Sequence, residues 1–430
     1  MTCPLEIRPA LSEGIDRQVL YQVRERFLAV NKARLQRAME GLLPAQQTIL
    51  NLLALLFHVN DPLLPGYVSD DTPAGVSGYT PDMPTLEAAL ALAGDFACPA
   101  LPRQPRAIHG LYLMGSLGTL AQTDQSDMDV WLCHAPDLDD RALANLRKKC
   151  LRLETWAASQ GSEAHFFLID AQRFAQGEHA LHGSVDDYVS AQHSLLLDEF
   201  YRTAIWLAGR TPLWWWVPAP EEARYGDFIH SLQAQHLISA DDVIDLGPLA
   251  HIPAQEFLGA GLKQLFKGIE SPYKSVLKLL LIEVYASEHP RVNCLSLGFK
   301  RAVYAHQLDL DELDPYVMVY RRIEDYLRGR GDFQRLELVR RSLYLKVNRK
   351  LTGRAATRGA HWQRALLERL TTEWGWDEQQ LAQLDNRSKW KAGPDSRERL
   401  ALSRELNGSY RFLSQLARHE HAIRVPVIAI

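Results

Sequence analysis

Asp127 and Asp129 carry the strongest chemical signal in this chain, within Ser126-Asp127-Met128-Asp129-Val130-Trp131-Leu132. The run alternates carboxylate and apolar residue. In a strand successive side chains point to opposite faces, so Asp127 and Asp129 share one face while Met128 and Val130 share the other. Two carboxylates spaced this way form a clamp for a hard divalent cation. Ionised and about 4 Å apart, they repel by roughly 4 kcal/mol at an effective dielectric near 20. A bound cation turns that repulsion into attraction, and two metals can stabilise the attacking and leaving oxygens of an in-line displacement. An apolar run, Leu111 to Met114, leads into Gly115-Ser116 upstream, where a backbone turn can approach phosphate closely. Asp-x-Asp alone would read as a solvated strand edge. With Gly-Ser in front of it, the pattern reads as a site.

Two further acidic residues flank the next apolar run and are candidates to join the pair. Glu163 opens the apolar run SEAHFFLI and Asp170 closes it. Either could serve, and Asp170 could instead cap the segment that follows. Among basic residues, Ser271-Pro272 starts a helix with Ser as N-cap and Pro at its first position. Lys274 and Lys278 then lie one turn apart on one face, near a helix N-terminus that favours anions. They are the candidates for holding phosphate groups, the β- and γ-phosphates if the ligand is a nucleoside triphosphate. Arg202, Lys267, Arg340, Arg341 and Lys346 are weaker candidates, and for Arg202, Arg340, Arg341 and Lys346 surface charge is the default reading. His109, His165 and His193 have no metal-ligand spacing. His165 should share a strand face with Glu163, where a structural role is the better reading.

The elements that must hold these groups follow from periodicity. Helical spacing covers residues 15–43, and 45–59 is a more apolar, buried helix. A turn-rich loop over 60–84 is long enough to imply function or a domain join. A short helix follows at 85–94, then a proline-punctuated link. After the central stretch come a helix over 137–160 and a strand over 162–169. That rhythm favours a mixed α/β core. Residues 171–190 read as a loop over the site, and 192–208 as a helix ending at Gly209. The Trp214-Trp215-Trp216 run reads as buried aromatics rather than a base-stacking platform. Beyond Pro220 nearly everything reads helical: 220–235, 254–270, 272–288, 312–327, 332–351, 361–374, 377–390 and 396–419. The expected division is 1–104 as an N-terminal helical region, 105–218 as the core, and 219–430 as a C-terminal helical domain.

Composition narrows the options. The 430 residues are 47% hydrophobic and 23% charged with a net charge of −4, so no broad surface for nucleic acid is expected. No apolar run reaches the ~18–20 residues that span a bilayer, and the N-terminus has no signal-peptide pattern. The five cysteines, Cys3, Cys98, Cys133, Cys150 and Cys294, are scattered without a CxxC pair. They argue against a disulfide framework or zinc site and fit a cytoplasmic protein.

The apolar strand, Gly-Ser, loop and Asp-x-Asp strand together resemble nucleotidyltransferases of the DNA polymerase β type. That resemblance implies an α+β fold: a polymerase β-like nucleotidyltransferase core, a small mixed sheet with helices, plus a large helical domain. It places Gly115 and Ser116 against the nucleotide phosphates and magnesium on Asp127 and Asp129. It favours Glu163 as the third acid, with Asp170 as the fallback. A longer likeness, from about residue 21 to 415, is to the class I adenylate cyclases of enterobacteria. It runs through DPLLPGY at 61–67, YTPD at 79–82, SDMDVW at 126–131, FFLID at 166–170, LLLDEFYRTA at 195–204, SPYK at 271–274 and WGWDE at 374–378. The family's EYFG…LW.LYK signature appears as EFLGAGLKQLFK at 256–267. Phe257 and Phe266 replace its tyrosines and Lys263 its tryptophan, so those hydroxyls and that indole have no role here. The loop 117–125 also departs from the family's serine-rich version, which leaves Ser116 as its phosphate-binding hydroxyl.

This likeness implies that ATP is converted to 3′,5′-cyclic AMP and pyrophosphate. Asp127, Asp129 and Glu163 would hold two Mg²⁺ ions, or Mn²⁺ in their place. The chain is expected to be the catalytic portion or a short member, with any regulatory domain or protein outside it. Two rivals stay open at this point: transfer of a nucleotidyl group to a separate small-molecule or protein acceptor, and nucleotide binding without turnover.

Overall fold

The computed structural model describes residues 17–99, 106–177, 192–249, 251–352, 361–387 and 396–424. The fold is α+β. Its chain opens with α1 (Arg17–Gly41), α2 (Pro44–His58) and α3 (Met83–Leu92). β1 (Ile108–Met114), β2 (Met128–His134), α4 (Asp140–Ser159), β3 (Ala164–Asp170), α5 (Ala171–Ala175), α6 (His193–Thr203) and β4 (Ile205–Gly209) follow. The four strands form one mixed sheet in the order β3-β2-β1-β4. β2 and β3 are parallel, joined through α4, while β1 runs antiparallel to both β2 and β4. Asp139 begins α4 by accepting a hydrogen bond from the Ala142 N–H, which satisfies one orphan donor of the first turn.

Both faces of the sheet are covered. Leu111, Leu113, Val130, Leu132, Phe166 and Leu168 face α2 and α4. Tyr112, Met114, Trp131, Cys133, Phe167 and Ile169 face α1, α6 and the tryptophan run. Trp214 stacks on Tyr201 and Trp215 on Phe27, with centroids 4.2 and 5.1 Å apart. The expectation that these tryptophans are buried aromatics holds.

The second half adds β5 (Thr211–Pro212), a 3-10 turn at Leu213–Trp216, another at Ala219–Arg224, α7 (Tyr225–Ala234) and β6 (Val243–Ile244). Then come α8 (Ala254–Lys267), α9 (Pro272–Glu288), α10 (Leu295–Tyr304), α11 (Pro315–Gly329) and α12 (Phe333–Val347). α13 (His361–Glu373), α14 (Glu378–Arg387) and α15 (Ser396–Arg424) complete it. These helices pack around α9, whose residues 276 to 286 are buried almost without a break. Arg335 of α12 ties the bundle with paired hydrogen bonds to Glu283 of α9 and Glu405 of α15.

Two expectations fail. The helix read over 192–208 stops at Thr203, and Ile205–Gly209 is a strand on the free edge of β1. Gly209 is therefore no helix cap. Its φ is +93° and a Cβ there would sit 2.4 Å from the His109 carbonyl oxygen, so close crossing of two strands demands it. α10 also went unread. Cys294 cannot cap it; the Leu295 and Ser296 N–H groups are taken by Tyr285 and Asp198, from α9 and α6. The loop expected over 171–190 begins instead with α5, and its residues 178–190 lie outside the described residues.

Candidate active site

Asp127 lies one residue before β2 and Asp129 within it. Asp129 pairs with Met114, the last residue of β1, so the next residue, Gly115, turns directly over its carboxylate. Gly115 has φ +93°, and a Cβ on it would lie 3.4 Å from Asp129 Oδ2. Only glycine makes that turn without strain. Burial pushes the Asp129 carboxyl above its ordinary value and the Asp127 charge adds to the push, while His165, Lys274 and Lys267 pull the other way. A half-buried carboxylate under a glycine turn with an exposed second carboxylate two residues away is an arrangement that a hard cation relieves.

The parallel register sets Met128 beside Ala164 and Asp129 beside His165. Asp127 therefore lies opposite Glu163, whose carbonyl accepts the Met128 N–H at 2.9 Å. Glu163 is exposed, and its Oε1 is 3.1 Å from His165 Nε2. Among the described residues no three acidic, histidine or cysteine side chains stand together as a ready-made metal cluster. The hard oxygen donors of Asp127, Asp129 and Glu163 still fit a divalent cation by chemistry, since they line one strand-end and one sheet face. Asp170 is at the far end of β3, roughly 23 Å along the strand by its rise per residue. There it caps α5, accepting from the Gln172 and Arg173 N–H groups. It also borders a separate cavity of about 210 Å³ with His109, His134, Arg210 and Asp245.

The cations come from the helical half. Lys274 in the first turn of α9 and Lys267 in the last turn of α8 both bear on Asp129. Lys278 is held by Glu199 of α6, at 2.8 and 3.1 Å. Burial raises the Glu199 carboxyl, but Lys278, Arg202 and Lys274 together outweigh it and hold it at about 2. Arg202 is not surface charge: it is buried and donates to the Pro315 carbonyl. Arg340 is bound to Glu324 and the Tyr320 hydroxyl. Lys346, at the end of α12, is half-buried rather than on the surface. Burial and Lys274 push its ammonium down to about 8, with Asp127 pulling upward. Its place depends on how α12 packs, which no local pattern records.

Ser116 is buried, and its hydroxyl lies 2.9 Å from that of Ser126. The whole turn from Gly115 to Ser126 is clamped. Thr119 Oγ1 donates to the Ser116 carbonyl, and Gln122 Oε1 accepts the Gly118 N–H. From the helical half, Asp314 accepts the Leu120 N–H, and the Gln363 amide reaches the carbonyls of Thr119, Leu120 and Gln122. Gln363 and Asp314 thus support the site from positions that sequence patterning gives no reason to choose.

Comparisons with known proteins agree along the chain. Residues 19–215 match the family described as adenylate cyclase NT domain, and residues 252–427 match adenylate cyclase, class-I, second domain. The adenylate cyclase of Escherichia coli (strain K12) is 42% identical over 401 residues, covering 93% of this chain and 47% of that protein. That of Salmonella typhimurium is 41% identical with the same coverage. That of Proteus mirabilis is 38% identical over 405 residues, covering 93% of this chain and 46% of its own length. The chain spans about half the length of these curated relatives. No solved structure matches it.

Proposed function

The chain belongs to the class I adenylate cyclase family, and from that premise we propose that it converts ATP to 3′,5′-cyclic AMP and pyrophosphate on a polymerase β-like nucleotidyltransferase core. The observation that carries the reading is the Asp127–Asp129 pair at the start of β2, with the Gly115 turn over Asp129 and Lys267 and Lys274 acting on Asp129. Acceptor transfer has no comparable support, because the likeness to cyclases extends over the helical half as well as the sheet.

In this reading Asp127, Asp129 and Glu163 hold magnesium, with manganese as a substitute, and Glu163 is now engaged by His165. When bound, the cation supplies a lowered pKa for the ribose 3′-hydroxyl and charge neutralisation for the triphosphate. The chain's own residues do the rest. The Gly115 turn, fixed from both halves of the protein, presents backbone to the phosphates. Lys274 and the α9 N-terminus draw the anionic chain toward the sheet. Together they orient the 3′-oxygen in line with the α-phosphorus. The new bond forms from that oxygen, the bond to the bridging oxygen of the β-phosphate breaks, and the hydroxyl proton passes to solvent. Orientation of this kind is the larger part of phosphoryl-transfer catalysis. A cytoplasmic location fits an ATP-consuming protein whose four described cysteines are all free. No helix among the described residues is long and apolar enough to cross a membrane.

The test is direct. Incubation with ATP and Mg²⁺ or Mn²⁺, with no acceptor present, should yield cyclic AMP and pyrophosphate in equal amounts. Asp127→Asn and Asp129→Asn should each lower the rate at least about a hundredfold. Unchanged rates in both variants would end the proposal.

A further inference from the structure

We propose that Arg202, at the end of α6, binds the terminal phosphate of the nucleoside triphosphate through its guanidinium fork. This rests on the cyclase reading of the same cleft and adds to it a residue that tells a triphosphate from a shorter chain.

The position follows from the sheet. β4 runs antiparallel to β1 and sets Ile205 beside Leu113. β1 ends one residue later, at Met114, and Gly115 begins the turn. On the other side of β1, Met114 pairs with Asp129. The residues that precede Ile205 and those that precede Asp129 therefore both lie beyond the same end of β1. Arg202, three residues before Ile205, stands at that end with Asp127 and the Gly115 turn. Direct contacts agree. A Cβ on Gly118 of the turn would lie 3.0 Å from Ile205 Cδ1 and 2.6 Å from the Arg34 carbonyl oxygen. The Arg34 guanidinium donates to the Arg202 carbonyl at 2.9 Å. The Arg202 guanidinium donates to the Pro315 carbonyl at 3.3 Å, and the neighbouring Asp314 accepts the Leu120 N–H of the turn at 2.7 Å.

What singles Arg202 out is a buried charge without a counter-ion. The residue is 6% exposed, and its Nε is buried with no hydrogen-bond partner. Among the described residues the Pro315 carbonyl is its one acceptor, and it makes no ion pair. Glu199, one turn back on α6, is engaged by Lys278 at 2.8 and 3.1 Å. Asp314, next to Pro315, is engaged by three backbone N–H groups. Other arginines drawn into the protein are better served: Arg34 donates to two carbonyls, and Arg335 to Glu283 and Glu405. A guanidinium stays charged at any working pH, so burying one without an anion is costly. The Lys278 and Glu199 side chains are 32 and 30% exposed, which leaves this face of α6 within reach of solvent on the side of α9. On the cyclase reading, an α-phosphate held at Asp127 and Asp129 places the rest of the chain across the Gly115 turn, from β2 toward β4. That is two strand spacings, roughly 10 Å, which a triphosphate and an arginine side chain cover together. The ligand that fits is a terminal phosphate, whose oxygens accept two parallel N–H bonds from the fork.

The experiment uses the full chain and measures equilibrium binding of inorganic tripolyphosphate and, separately, of AMP, which has no β- or γ-phosphate. Arg202→Met should weaken tripolyphosphate at least tenfold and leave AMP within twofold. Arg202→Lys keeps the charge but not the fork, and should bind tripolyphosphate about threefold to tenfold more weakly than the parent. In turnover, Arg202→Met should raise KM for ATP by the factor seen with tripolyphosphate and change kcat less. Arg202→Gln repeats the test if the Met variant does not fold, and the Lys variant carries it if neither does. Tripolyphosphate binding within twofold of the parent in the folded variants overturns the inference. An equal loss of AMP also overturns it, since Arg202 would then only hold α6 in place. A chain that makes no cyclic AMP yet loses tripolyphosphate with Arg202 overturns the cyclase reading and keeps this one.

Discussion

The Glu199–Lys278 pair joins α6, which leads into the sheet edge, to α9, which carries Lys274. Replacing Glu199 by Gln keeps the shape and removes the charge. The carboxyl is held at about 2 against an ordinary value of 4.5, because three cations outweigh its burial. Taken at face value that gap is worth ~3 kcal/mol at neutral pH. The side chains remain 32 and 30% exposed, so solvent screening reduces the expected loss to ~1–2 kcal/mol. A carboxyl depressed in the fold contributes stability above its unfolded pKa and loses it as the pH falls toward the folded value. The contribution should therefore be whole at pH 7, begin to shrink below about pH 4.5, and be roughly halved near pH 3. Thermal unfolding of parent and Glu199→Gln, followed by circular dichroism at pH 7, 4 and 3, should show their midpoints converging as acid is added. A midpoint difference that is the same at pH 3 as at pH 7 would mean that Glu199 acts by packing, and the ionic account would be wrong. Lys278→Met in the parent and in Glu199→Gln completes a cycle, and its coupling term should vanish over the same range.

Further outcomes follow from the same geometry. Gly115→Ala must place a β-carbon at φ +93°, costing ~1–2 kcal/mol, so the melting temperature should fall while cyclic AMP formation drops more than tenfold. Glu163→Ala should leave the melting temperature unchanged, its carboxylate being 72% exposed, and cut turnover at least about a hundredfold. Asp170→Ala should do the opposite, costing about 1 kcal/mol as a lost helix cap with turnover unaffected; the reverse pattern would move the third acid to the other end of the sheet. Gln363→Leu strands three carbonyls of the clamped turn and should cost ~2–3 kcal/mol, read as a lower melting temperature with a raised KM for ATP.

The sheet side of the site was legible in the sequence because its determinants are local. Alternation of acid and apolar residue defines β2, Gly115 marks the turn, and the apolar run after Glu163 defines β3. The parallel register then brings Glu163 opposite Asp127 with no further choice to make. Where determinants are distant, reading failed. Residues 192–208 keep helical apolar spacing past Thr203, and the strand at Ile205 exists because β1 has a second edge to pair. α10 is capped by side chains from α6 and α9, so no local cap announces it. Arg202 reads as surface charge until α11 closes over it, and Lys346 until α12 packs into the helical half.

That division has a mechanistic consequence. The sheet supplies acids and a glycine turn, but it does not supply what holds the turn or what balances the acids. Leu120 leaves the turn to enter the core formed by the helical half, where Asp314 and Gln363 take up the polar backbone groups on either side of it. A buried turn deprived of those partners would carry several unpaired carbonyl and N–H groups, which a folded chain rarely tolerates. The same helices deliver Lys267 and Lys274 to Asp129. On the proposed reading the sheet half holds the chemistry and the helical half its geometry and counter-charge, so a change deep in the helices at Gln363 should reach the phosphate-binding turn as one at Gly115 does.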